Sequence, residues 1–225
     1  MAHVSQYWLR ADTFAAANAA AGFPDLNGFG RRAMDLSYDE VRTDTLYQVG
    51  ALDAFARAGG GRLSHILPHG RLGNLVVTGS EYARAVTDAV AAYDDDLIVV
   101  TQEGELARTA REIGLKVGIM FLADRGYEDD GTLVRRTEPG ALIHDADTIA
   151  ERTVRMATEG VVTSIHGTDV HVDCDVVLLH GDHPEALANG RALRTALESA
   201  GVRIAPLRTV LHGKDRETTE ACAAV

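Results

Sequence analysis

Histidine, carboxylate and arginine recur in four short polar stretches: Pro68-His69-Gly70-Arg71-Leu72-Gly73-Asn74, Gln102-Glu103-Gly104-Glu105, Ala123-Asp124-Arg125-Gly126-Tyr127 and His180-Gly181-Asp182-His183. A histidine titrating near neutrality beside a carboxylate can move protons, and an arginine can grip a carboxylate or phosphate through two parallel hydrogen bonds. Such a set suits amide or phosphate chemistry. Each residue alone also has a structural reading, with His69 and His180 bonded to loop carbonyls and Asp124 and Arg125 in an ordinary salt bridge. A fifth stretch, Asn27-Gly28-Phe29-Gly30-Arg31-Arg32, sets two guanidinium groups beside two glycines ahead of a helix. That chemistry suits an anion, but the spacing matches neither a P-loop nor a complete dinucleotide fingerprint, and a glycine turn with solvated arginines is the alternative.

A parallel α/β frame would carry the four stretches to one rim, because working residues gather where parallel strands end. Each stretch follows a short apolar run, at 63–67, 97–101, 116–121 and 176–179. Between them lie helical patterns. Ser37 with Glu40 forms a capping box, opening a helix in which Val41, Leu46, Val49, Leu52 and Phe55 recur at helical spacing until Gly59-Gly60-Gly61. Further helices are expected with Ser80 as cap through Val90, over 104–113, with Asp145 as cap through Met156 to Gly160, and from Pro184 to about 200. Residues 5–21 read as an alanine-rich helix and 202–204 as a short last strand. Asp129-Asp130-Gly131-Thr132 reads as a tight turn between strands, and 169–173 as an edge strand with His171 exposed rather than metal-bound. The tail from Gly213 has no regular apolar spacing and is expected to be loose.

The chain has 225 residues, enough for one α/β domain spanning 1–225. With 33 acidic against 22 basic residues its net charge is -11, which disfavours nucleic acid and anionic membrane surfaces as partners. No apolar run reaches bilayer length and the first residues lack a signal-peptide pattern, so a cytoplasmic location is expected. Cys174 and Cys222 are far apart and outside any ligand spacing, so neither a disulfide framework nor a metal site is expected. An aromatic content of 5% leaves little for a stacking platform and favours a small polar substrate.

Taken together, Phe23-Pro24-Asp25-Leu26-Asn27-Gly28-Phe29-Gly30-Arg31-Arg32, Pro68-His69-Gly70, the stretch from Ala123 to Leu133, Pro139-Gly140-Ala141-Leu142-Ile143-His144-Asp145 and His180-Gly181-Asp182 resemble successive signatures of the LamB/YcsF family. Order and spacing both match, over residues 22–205. The resemblance implies an α/β fold with mostly parallel strands, an incomplete or distorted βα barrel of the glycoside hydrolase/deacetylase type. It also implies the role of the A subunit of 5-oxoprolinase, which with subunits B and C uses ATP to open 5-oxoproline to L-glutamate. On that pattern His69, Asp124, His180 and Asp182 are the catalytic candidates. Arg31, Arg32, Asn74, Glu103, Arg125 and Tyr127 are the substrate- or phosphate-binding candidates. The sequence departs from the family at Leu67, where a lysine is usual, at Gly73 for a tyrosine, and at Met120 for an acidic residue; the family's opening Asp-Leu-Asn-x-Asp-x-Gly-Glu segment does not occur. The alternatives are a repurposed, ATP-independent cyclase or isomerase and an interaction subunit without catalysis.

Fewer βα units than a closed barrel needs would leave a sheet edge open to pairing, so a homo-oligomer is expected. Light scattering at micromolar concentration should give a dimer's mass or more, and the mass of a single chain would overturn this.

Overall fold

In a computed structural model, which describes residues 17–181 and 184–212, parallel pairing dominates and five strands follow the order β1-β2-β3-β4-β7. The expected α/β class with mostly parallel strands is what the structure has. The chain divides into two compact units, the first ending at Ile119 and the second beginning at Met120.

The first unit holds β1 (Ala17–Ala19), α1 (Tyr38–Ala58), β2 (Leu63–Ile66), α2 (Gly70–Thr78), α3 (Ser80–Tyr93), β3 (Ile98–Thr101), α4 (Glu105–Glu112) and the start of β4 (Val117–Leu122). At the head of α1 the capping box is complete: Glu40 N–H donates to the Ser37 side chain, and Ser37 N–H donates to Glu40 Oε2 at 2.8 Å. Val41, Val49, Leu52 and Ala56 turn into a core shared with α3, α4 and the strands. Burying each larger aliphatic side chain contributes roughly 1.5–3 kcal/mol. Phe55 is a correction to the expected core face, being 58% exposed.

Three further expectations differ here. Residues 17–19 form a strand rather than part of an alanine-rich helix, while 5–16 lie outside the described residues. Alanine favours helices, yet its small side chain also fits a strand packed under helices, and Ala19 is fully buried. The segment after β2 is not a loop throughout, because α2 begins at Gly70 with His69 at its N-cap. The cap of α3 is Gly79, not Ser80, which is its first helical residue.

The second unit holds the end of β4, α5 (Ala146–Glu159), β5 (Val161–Thr163), β6 (Asp169–His171), β7 (Val176–Leu178) and α6 (Ala186–Ser199). Asp145 caps α5 by accepting Thr148 N–H at 2.8 Å, and Gly160 ends it in the left-handed region. β5, which the sequence reading missed, pairs antiparallel with β6 and leaves His171 exposed, as expected. The turn at 129–132 is closed by Thr132 N–H and Oγ1–H donating to Asp130, with a bridge between Tyr127 and Leu133. β7 is half-buried rather than fully buried. Residues 202–204 form no strand; Val202 packs against the core of Phe121, Ile149 and Leu197 instead. No helix among the described residues is long and apolar enough to cross a membrane.

Ser37→Ala should cost about 1 kcal/mol in urea unfolding through loss of the cap, whereas Phe55→Ala should stay within about 0.5 kcal/mol.

Candidate active site

β4 and β7 are parallel neighbours with Leu122 opposite Leu178. Two residues further along each strand direction stand Asp124 and His180, so the register alone delivers both to the same rim. The Asp124 carboxylate is only 6% exposed. It accepts His180 N–H at 3.1 Å, and His180 Nδ1–H at 2.8 Å to Oδ1 and 2.9 Å to Oδ2. Burial pushes the Asp124 carboxyl up, but the hydrogen bonds it accepts from His180 outweigh it, and the net shift is downward.

On the other ring nitrogen, Arg136 Nη2 lies 2.8 Å from His180 Nε2. A guanidinium only donates, so Nε2 presents its lone pair and the ring proton sits on Nδ1, facing the carboxylate. This is the neutral tautomer with its basic nitrogen turned outward, the form a general base needs. Sequence reading missed Arg136. Its only signal was a place inside the family-like segment between Leu133 and Pro139.

The other candidates in this unit hold the loop rather than face a ligand. Arg125, 3% exposed, donates from Nε to Ala141 O at 2.9 Å and from Nη2 to Val134 O at 2.6 Å. Its expected role as a phosphate or carboxylate holder is therefore corrected to bracing the 134–141 segment. Tyr127, 1% exposed, accepts Leu122 N–H on its hydroxyl at 3.0 Å and stacks on Phe121, and burial pushes its phenol up to about 12. It too is structural. Arg152 of α5 donates to Ala123 O at 2.6 Å and lies over the Phe121 and Tyr127 rings. Gly126 admits no side chain, since a Cβ there would stand 2.2 Å from Gly140 O. Asp182 lies outside the described residues.

In the first unit, His69 follows β2 and donates from Nε2 to Phe29 O at 2.9 Å, with its ring edge-on to Phe29 at 5.0 Å. Its neighbour Gly70 has φ +63 and backs onto Gly30, whose carbonyl oxygen would be 2.4 Å from a Cβ. The Arg31 guanidinium lies over the Phe29 ring. Arg32, expected as an anion holder, pairs with Asp25, donating from Nε to both carboxylate oxygens at 2.9 and 3.1 Å. The Arg32 guanidinium holds the Asp25 carboxyl down to about 2. Glu103 forms a two-point pair with Arg111 at 2.7 and 3.0 Å. Asn74 is exposed on α2. The structure thus brings together Asp124 and His180, with Arg136 added. No group of three or more His, Cys, Asp or Glu among the described residues is arranged to hold a metal ion.

Comparison with known proteins places this geometry in a lineage. The profile of the LamB/YcsF family matches residues 10–212. The chain is 47% identical over 191 residues to the A subunit of 5-oxoprolinase from Pyrococcus abyssi, an alignment covering 84% of this chain and 75% of that protein. It is 41% identical over 206 residues to the A subunit of 5-oxoprolinase from Natranaerobius thermophilus, covering 91% and 80%. Among solved structures, the lactam utilization protein from Thermus thermophilus superposes with a TM-score of 0.77 at 44% identity, covering 84% of this chain and 76% of that one.

The folded Asp124 carboxyl titrates below its ordinary value of 3.8, so folding favours its ionised form. That stabilisation is full above the unfolded pKa and is lost as the pH falls through the folded one. Asp124→Asn should therefore flatten the fall in thermal stability at the acid end, below about pH 4; an unchanged slope would refute the assignment.

Proposed function

This chain belongs to the LamB/YcsF family, and from that premise we propose that it serves as the A subunit of a 5-oxoprolinase, hydrolysing the cyclic amide of 5-oxoproline to L-glutamate in an ATP-dependent reaction with subunits B and C. The observation that carries the reading is the Asp124–His180 pair, its basic nitrogen outward, in a chain so similar to proteins of that name.

Opening a lactam requires water to add at the carbonyl carbon, the ring C–N bond to break, and a proton to reach the departing nitrogen. His180 Nε2 can take the proton from the attacking water while Asp124 steadies the imidazolium, and the same proton can then pass to the ring nitrogen. Arg136 occupies Nε2 and is exposed, so a substrate carboxylate can draw its guanidinium away and free the base. Binding and activation are then coupled through one side chain.

An unstrained lactam is a poor electrophile, which is the chemical reason for ATP in this reading. Of the three arginines expected to hold phosphate, Arg32 pairs with Asp25 and buried Arg125 donates to two carbonyls, while Arg31 lies over the Phe29 ring. The contribution proposed for this chain's own residues is carboxylate binding and proton transfer.

Glutamate release from 5-oxoproline by the purified chain with subunits B, C and ATP should exceed the control lacking this chain. His180→Ala and Asp124→Asn should each lower the rate on the order of 10²–10⁴-fold, while Arg136→Ala should also raise KM. A folded chain that adds nothing to the control would overturn the proposal.

A further inference from the structure

A cavity of about 300 Å³ lies wholly within the second unit, lined by α5, by β5 with the two residues after it, and by Gly126, Gly140 and Ile143. Ile143, Val161, Val162 and Ile165 give it apolar walls, and no Asp or Glu lines it. The chemistry above makes no use of it.

Most of its polar lining is already engaged. The Thr148 hydroxyl donates to Asp145, the Thr163 hydroxyl to Asp169 and the Ser164 hydroxyl to Asp129, while Arg155 is held by Asp169 and Glu159. Arg152 differs. Its Nη1 donates to Ala123 O at 2.6 Å and, more weakly, to Leu122 O at 3.4 Å, whereas Nε and Nη2 make no hydrogen bond among the described residues and are not sealed in protein. The guanidinium carbon stands 5.2 Å from the Phe121 ring centre and 5.7 Å from that of Tyr127, and the charge forms no ion pair among those residues. Burial pushes its pKa down, yet a guanidinium stays protonated in a protein. The cavity therefore carries a positive charge that no carboxylate pairs with.

Nε–H and one Nη2–H leave the same edge of a guanidinium in parallel, the edge that grips a carboxylate through two hydrogen bonds. A phosphate fits less well, because its remaining oxygens would lie unpaired against aliphatic walls. The volume is at the lower end for ligand pockets and suits a small free acid rather than the end of a protein chain. We propose that this cavity binds a small organic monocarboxylate, its carboxylate on the Nε and Nη2 edge of Arg152 and its apolar body against Ile143, Val161 and Ile165. The site is distinct from the proton-transfer pair and goes beyond the lactam reading, since neither Asp124 nor His180 lines it.

Calorimetric titration of the purified full chain with 4-methylpentanoate and with its neutral amide, 4-methylpentanamide, tests this. The wild type should bind the acid at least about tenfold more tightly than the amide. Arg152→Met should bring the acid down to the amide's affinity. Ile165→Asp, which sets a like charge in an exposed part of the wall, should weaken the acid at least about tenfold and the amide by less. Should Arg152→Met fail to fold, Ile165→Asp decides. Excess 5-oxoproline should leave the acid's affinity unchanged, and methyl NMR should place the shifts caused by the acid at Ile143, Val161 and Ile165. A wild type that binds no acid or binds acid and amide alike, folded variants that keep the wild-type affinity, competition by 5-oxoproline, or shifts elsewhere overturns the inference.

Discussion

A carboxylate almost closed off from water must be paired, and at Asp124 that requirement organises the second unit. Its partner comes from a neighbouring strand, so the parallel register of β4 and β7 has to be right before the charge is satisfied. The loop that presents it is held from several sides. Arg125 reaches the carbonyls of Ala141 and Val134, Tyr127 receives the Leu122 amide, and Arg152 binds the Ala123 carbonyl. Residues that look like ligand holders in a linear reading are here the fittings of a single carboxylate.

This division of labour explains what the sequence could and could not disclose. Features set by a few adjacent residues were legible: the Ser37–Glu40 box, the Asp145 cap, the Gly160 stop and the Asp130 turn all depend on short-range bonds. The rim positions of Asp124 and His180 were legible too, because a parallel frame fixes where strands end. What escaped was anything decided by a distant partner. Nothing near Arg32 announces that Asp25 will claim it, and nothing near Glu103 names Arg111, eight residues away across the helix start. The helix α2 escaped because Pro68, Gly70 and Gly73 look like loop residues, whereas Gly70 is there to take a positive φ against Gly30.

The first unit is organised differently. Its strands feed a dense aliphatic core, and Asn18 and His65 are register partners within them.

The glycines at 70 and 126 carry a consequence for reading other sequences of this lineage. At each, a backbone oxygen occupies the space that any other residue would need, at 2.4 Å from the first and 2.2 Å from the second. Alanine at either position is thus diagnostic of a rebuilt loop. A relative that keeps Asp124 and His180 but has lost the glycine at 126 has kept the letters of the pair without the means to aim them, and its assignment should not be inherited from the pair alone.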